Sequence, residues 1–460
     1  MAEVIAGKKA CTTNPLKMSA PIGAALAFLG MDRALPLLHG SQGCTAFGLV
    51  LFVRHFRETI PLQTTAMSEV TTILGGMENV EQALLNIKKR ADPALIGICS
   101  TGITEAKGDD VGGFLKLIRD KRPELAGTEV VYASTPDFVG GFSDGWAKAV
   151  TAMIDTLVEP TKVATPWQVN ILAGCHLTPG DIEEIRETVE AFGLTPIILP
   201  DLSGSLDGHI PETFLPHTLG GTRLEHVRDM GSSALTIAIG EQMRPAAELL
   251  EKKTGVPFKV FERLTGLAAS DAFIALLSEL SEQDVPAKYK RQRSQLQDAM
   301  LDGHFYFGEQ KIAIAAEPDL LFILSHFFTD MGAKVTCAIA PQDAPVLRKV
   351  AADTVRISDL ADFEQHAAGC DLLVTHSHGR QAAANLGIPF WRAGLPTFDR
   401  LGVAHKVSVG YRGTRDLIFE VGNVFMEQLH AHEQHVTPAS VRAAAFGPEA
   451  AVDAPARAGH

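Results

Sequence analysis

The stretch Leu35 to Phe47, LPLLHGSQGCTAF, decides how this chain is read. Its apolar start, Leu35-Pro36-Leu37-Leu38, predicts a short buried strand. A loop bounded by Gly40 and Gly43 follows, and the pattern from Thr45 to Phe56 predicts a helix. The two glycines are expected to take backbone angles that other residues resist and to let another group approach the main chain. Cys44 then lies at or near a helix N-terminus, where the dipole favours a thiolate. A thiolate is what a soft metal centre needs. A small buried cysteine in a glycine turn fits the same residues. Local physics leaves both readings open.

Composition narrows the class. The 460 residues suggest about three domains at roughly 150 residues each. A hydrophobic share of 46% and a charged share of 21% are those of a globular chain with sizeable cores. The net charge of -13 argues against general binding to nucleic acid or anionic membrane, both of which want a basic face. Six cysteines are scattered over the chain and none forms C-x-x-C, which argues against a zinc ribbon or a self-contained ferredoxin site. That scatter points to a reducing, cytoplasmic setting. The first residues lack an apolar signal core, and no apolar stretch approaches the roughly 20 residues that span a bilayer.

Taken in order, residues 1–18 read as polar and partly extended, and Pro21 to Leu29 as a tightly packed helix of small apolar residues. Asn79 reads as the N-cap of a helix over Val80 to Arg90. The run Ala94 to Cys99 is of parallel-strand type, ending in a loop from Ser100 to Asp110. A helix from Val111 and a strand over Glu129 to Tyr132 complete an α/β pattern, whose natural sites are the loops after strands. Two strand–Pro–helix–strand units, 168–199 and 311–339, look like equivalent starts of two similar domains. The expected fold is α/β, with three Rossmann-like domains of parallel sheets flanked by helices. The expected division is 1–165, 166–287, a linking helix 288–304, 305–435, and a disordered tail 436–460.

Few motifs carry chemistry. No G-x-G-x-x-G follows a first strand and no G-x-x-x-x-G-K-[ST] occurs, so dinucleotide or ATP binding of the usual kind is not expected. Gly220-Gly221-Thr222 reads as a helix cap ahead of an anion site. His376 and His378 follow a strand and read as loop packing, with a metal site as the alternative. His430, His432 and His435 fall at the end of the last helix. The run Lys288 to Arg293 reads as a solvated helix face, or else a dock for an acidic partner. Cys99 is the second metal candidate, with a buried thiol favoured; Cys337 and Cys370 read as core, and Cys11 and Cys175 have no supporting ligands nearby. Glu105, Asp109 and Asp110 read as exposed loop carboxylates. One well-placed thiolate remains. An iron–sulfur cluster normally takes about four protein ligands, so a cluster on Cys44 needs ligands from another chain.

The chain resembles the nitrogenase component 1 superfamily, specifically its β-type members. The likeness rests on Asn14 to Ala24 (NPLKMSAPIGA), His39 to Cys44 (HGSQGC), and Arg54 to Glu58 (RHFRE). It continues in Ser100 to Glu105 (STGITE), Gly108-Asp109-Asp110 and Thr135 to Gly140 (TPDFVG), then at lower density to about Asn423. HGSQGC followed by RHFRE is far more specific than any glycine motif. In the molybdenum–iron protein β subunit, the resemblance implies, cysteines stand where this chain has Ser19, Cys44 and Gly102, and the serine of the P-cluster aligns with Asp137. Only Cys44 survives, so a P-cluster is not expected. Loss of two ligands with retention of the third is the pattern of the cofactor-assembly branch.

For that branch the resemblance implies an α2β2 complex with NifE. Cys44 would complete a [4Fe–4S] cluster whose other ligands come from NifE. The iron–molybdenum cofactor precursor would be held mainly by that partner and supplied by NifB, and the nitrogenase iron protein would dock transiently. The expected role is therefore a cytoplasmic assembly scaffold for nitrogen fixation, with no catalytic residues of its own. The alternative is a catalytic β-type subunit of a dark-operative protochlorophyllide reductase or nitrogenase-like enzyme.

Overall fold

The computed structural model describes residues 1–7, 9, 12–160 and 163–434. The tail from Val436, His435, the side chains of His430 and His432, and Cys11 lie outside what it describes. The apolar runs become short parallel strands in three sheets, flanked by helices, as the α/β reading expects.

The first strand, β1 (Glu3–Ala6), pairs in parallel with a strand far along the chain. The next four make one sheet: β2 (Ala34–His39), β3 (Gln63–Thr64), β4 (Leu95–Ser100) and β5 (Glu129–Ala133), in the order β3-β2-β4-β5. A second sheet holds β6 (Thr165–Ala173), β7 (Thr195–Leu199), β8 (Ser233–Ile239) and β9 (Phe258–Phe261), in the order β7-β6-β8-β9. The third holds β10 (Lys311–Ala315), β11 (Lys334–Ala340), β12 (Thr354–Ile357), β13 (Leu372–Thr375) and β14 (Phe390–Arg392), in the order β1-β12-β11-β10-β13-β14. The sequence places residues 1–18 with the first domain, but β1 extends the third sheet. It forms the edge strand beside β12, with Val4 and Ile5 half-buried between exposed Glu3 and Ala6.

In each sheet the winding reverses once: between β2 and β4, between β6 and β8, and between β10 and β13. Loops leaving the carboxyl ends of strands at such a reversal open a crevice, the natural site of an α/β sheet. Three crevices therefore exist, and the chemistry of the chain collects in them.

The first sheet is fixed by α1 (Ala20–Leu29), a helix buried on every side. Two contacts set its depth. A Cβ on Gly97 of β4 would lie 2.2 Å from the Phe28 ring, and a Cβ on Gly23 would lie 1.9 Å from the Phe142 carbonyl oxygen. The facing helix α7 is Phe142–Leu157, in which a Cβ on Gly145 would lie 1.8 Å from the Ala20 carbonyl oxygen. Small residues at these points let two backbones touch, and the fully buried Phe28 and Trp146 fill the space beside them. Numbering the helices between them in chain order, α2 is Gln42–Phe56, α3 Glu69–Leu74, α4 Met77–Ala91, α5 Gly102–Lys107 and α6 Val111–Lys121.

Several expected boundaries shift for local reasons. Helix α4 starts at Met77 with Gly76 as N-cap, and Asn79 instead donates its side-chain N–H to the Thr65 carbonyl at 3.0 Å. The loop expected over Ser100 to Asp110 contains α5, whose start is held by the Thr101 N–H donating to Thr104 Oγ1 at 3.1 Å. Gly220 and Gly221 do not cap the helix that follows, whose N-cap is Arg223. They have φ of +80° and +100° and lie against the backbone of Gly204 and Gly30, closing the seam where Thr222 N–H bonds the Gly30 carbonyl at 2.9 Å. The helix after them starts at Leu224. The linking helix runs Ala287–Phe307 and its basic residues are partly paired: Arg293 holds Asp271 with two 2.8 Å bonds, and Lys288 lies 3.6 Å from Glu187.

Two glycines separate packing from propensity. A Cβ on Gly145 collides with backbone, so Gly145→Ala is expected to lose about 1–3 kcal/mol in urea unfolding. Helical Gly43 meets nothing within 4 Å, so Gly43→Ala is expected to gain roughly 0.5–1 kcal/mol. Equal effects at the two positions would contradict the close α1–α7 contact.

Candidate functional site

Strands β2 and β4 pair from Ala34↔Leu95 to His39↔Ser100, so both end level at the first crevice. From β2 the chain passes through Gly40 and Ser41 directly into α2, which begins three residues before the expected Thr45. Neither Gly40 nor Gly43 has a positive φ, so the expectation of unusual backbone angles fails. Gly40 is needed for space, since its Cβ would fall 2.5 Å from Thr101 Oγ1 at the start of α5. Gly43 lies in the first turn of α2 and faces open space.

Cys44 stands in that first turn and is exposed. Ser41, the N-cap, makes no capping bond; its hydroxyl donates to Cys44 Sγ at 3.4 Å. The thiol therefore has the helix N-terminus behind it and one hydroxyl donor beside it. The other cysteines differ. Burial pushes the Cys99 thiol far up, Cys337 up to about 12, and Cys175 and Cys370 upward too. Cys99, the second metal candidate for which a buried thiol is the favoured reading, is wholly enclosed by the core as that reading expects.

Ser19, Gly102 and Asp137 sit at the same edge. Ser19 is the N-cap of α1, whose next residue, Ala20, touches Gly145 of α7. Gly102 opens α5 after β4, and its N–H donates to Asp137 Oδ2 at 3.2 Å. Around them, Phe47, Val50 and Val53 form an uncovered stripe along α2, exposed by 76%, 54% and 40%. Phe138 and Val139 beyond Asp137 are exposed as well. An apolar stripe of this kind marks a contact surface.

Beneath the edge the acidic cluster is structural. Burial favours the protonated form of Glu105, but hydroxyl donors on Ser100, Ser134 and Tyr132 outweigh it and hold this carboxyl below its usual range. Asp110 caps α6 by accepting from Gly113 N–H. Asp109 lies 3.6 Å from both His39 Nε2 and Lys107 Nζ, and burial pushes the His39 imidazole down despite that carboxylate. Glu105 and Asp109 are therefore not the exposed loop carboxylates the sequence suggests, whereas Asp110 is exposed as expected. The RHFRE stretch joins the first sheet to the third. Arg54 stacks 4.0 Å from the Phe398 ring, Arg57 donates to the Phe398 carbonyl, and Thr397 N–H donates to His55 Nδ1.

Among the described residues no group of three or more His, Cys, Asp and Glu side chains converges in the manner of a complete metal site. His376 and His378 pack edge to face at 5.1 Å, and His376 is a turn cap that accepts from His378 N–H. Sequence reasoning passed over His55, His176 and Glu317, which line a chamber with His376. Their signal was positional, since His176 and Glu317 come just after β6 and β10.

The described residues thus form three parallel sheets, each with one reversal, and Cys44 is the one exposed thiol among the described cysteines. A solved chain titled "Nitrogenase Cp1 at pH 6.5" superposes with a TM-score of 0.88 at 32% identity, covering 92% of this chain and 95% of that one. The family model for nitrogenase component 1 type oxidoreductases matches residues 19–426, and the chain belongs to that family. It is 59% identical over 429 residues to a protein of Bradyrhizobium diazoefficiens, covering 92% of each. It is 50% identical to one of Nostoc sp., covering 93% of this chain and 96% of that one. Both relatives bear the name nitrogenase iron-molybdenum cofactor biosynthesis protein NifN.

Cysteine reactivity tests the site's exposure. In the chain purified alone, iodoacetamide is expected to label Cys44 within minutes and to leave Cys99 and Cys337 unlabelled until denaturant is added, as read by peptide mass mapping. Labelling of Cys99 at the rate of Cys44 would contradict the geometry.

Proposed function

We propose that this chain is the β-type subunit of a scaffold on which the iron–molybdenum cofactor of nitrogenase is matured, paired with NifE in an α2β2 complex. The observation that carries the reading is the donor set at the first crevice. Cys44 offers an exposed thiol, while Ser19 and Gly102 at the same edge offer no soft donor. An eight-iron cluster drawing several ligands from this chain does not fit these residues. A [4Fe–4S] cluster taking one ligand here and the rest from the partner does fit. Such a cluster supplies one-electron transfer when bound.

The chain's own residues then do the following. Ser41 orients and hydrogen-bonds the Cys44 sulfur. Open space at Gly43 admits the partner's backbone, and the stripe of Phe47, Val50 and Val53 supplies apolar area for the contact. The cofactor precursor, supplied by NifB, is held mainly by NifE, and the nitrogenase iron protein docks transiently. No residue of this chain is assigned a catalytic role. The relatives named NifN over nine-tenths of the chain support the reading. No described helix is long and apolar enough to cross a membrane, and we place the complex in the cytoplasm.

The test is anaerobic co-production with NifE in a host lacking the precursor pathway, followed by iron analysis and EPR of the reduced complex. Wild type is expected to show one [4Fe–4S] signal per αβ pair, and Cys44→Ala to lose or alter it while still pairing. Iron content and spectrum unchanged in Cys44→Ala would overturn the assignment. Substrate reduction by the complex would favour the catalytic alternative.

A further inference from the structure

The second and third crevices face one another and enclose a chamber of about 80 Å³. Its polar wall comes from the loops after β6, β10 and β13, which carry His176, Glu317 and His376, and from the end of α2, which carries His55. The remaining wall is mostly apolar, with Leu26, Phe56, Phe142 and Leu177, and no lysine or arginine lines it. The volume would admit roughly five to eight water-sized groups.

The three histidines share one arrangement. His55 Nδ1 accepts from Thr397 N–H at 2.9 Å, His376 Nδ1 accepts from His378 N–H at 3.4 Å, and His176 Nδ1 faces the Gln242 side-chain amide at 3.3 Å. The His176 ring is held in place because Gly174 and Gly240 have no Cβ, which would lie 2.7 and 2.9 Å from it. A neutral imidazole whose Nδ1 accepts carries its proton on Nε2. Burial lowers all three rings to about 4, so they are neutral donors at ordinary pH. His376 is 5% exposed, and its Nε2 makes no hydrogen bond of normal geometry, with the Leu16 backbone beside the ring; Glu317 Oε2 makes none either, although Ser143 bonds the same carboxyl. Buried polar groups without partners are rare in native proteins and call for an occupant.

The donor pattern selects the occupant. Metal binding at Nε2 would require moving each proton to Nδ1 and breaking the bonds just described. A phosphate lacks the cation it needs. We infer that the chamber binds a small carboxylic acid, its oxygens taken by the Nε2–H groups of the histidines and by the Glu317 carboxyl.

Glu317 gives the site a pH signature. Burial raises it to about 7, and the Asp144 carboxylate on α7 pushes the same way, while Ser143 and Lys17 oppose. Cys175 lies beside it, the neutral His55, His176 and His376 line the same chamber, and Asp319 on its own helix turns away to the Glu241 and Gln242 N–H groups. Protonated, Glu317 donates to a bound carboxylate; ionised, it repels one.

The experiment titrates [1-13C]butyrate into the full-length chain at pH 6 and pH 8 and follows the bound fraction by 13C line width. Saturable one-to-one binding is expected at pH 6, weaker by about tenfold at pH 8. Glu317→Gln, the same shape with a donor at both pH values, is expected to bind equally at pH 6 and pH 8. His376→Phe is expected to bind at least about tenfold more weakly than wild type. Absence of saturable binding at pH 6, with the chamber holding water only, would overturn the inference. So would a wild-type pH ratio in Glu317→Gln, which decides the matter even where His376→Phe fails to fold.

Discussion

The parallel pairing of β2 with β4 is the constraint on which the rest depends. Their register brings His39 level with Ser100, so the two segments that follow leave the sheet side by side. Winding proceeds away from this pair in both directions, to β3 on one side and β5 on the other. Buried α1 holds the pair from beneath, and its depth is set by backbone contacts that only Gly23 and Gly145 permit. Cys44 is exposed because α2 starts directly at the end of β2 and aims its first turn outward. The thiol's position is a consequence of strand register.

The same logic, applied twice more, gives the chamber. The reversals of the second and third sheets place Cys175, His176, Glu317 and His376 on the walls of one cavity. α2 links the two kinds of site. Its first turn presents Cys44, and its last turn sends His55 into the chamber while Arg54 and Arg57 grip Phe398.

Much of this was legible in the sequence because it is carried by local pattern. The apolar runs at Leu35, Ala94, Gln168 and Lys311 mark strands by composition alone, and prolines at 179 and 318 open helices. Cys44 stood out because thiol, glycine and helix start coincide in sequence. What escaped depends on distant partners. β1 joins the third sheet through residues about 350 positions away. Glu105 looks exposed in sequence but meets Tyr132 and Ser134 only once β4 and β5 pair. His55, His176 and Glu317 lie in different parts of the chain, and only the packing of α2 against the ends of the second and third sheets puts them on one cavity wall.

The central claim is that Cys44 supplies this chain's one bond to a shared cluster. The most direct measurement is an anaerobic cryo-EM map of the chain in complex with NifE. The account predicts cluster density bonded to the Cys44 sulfur, with every other protein ligand from the partner and Phe47, Val50 and Val53 covered by it. Density bonded only to the partner, with Cys44 facing solvent, would contradict it.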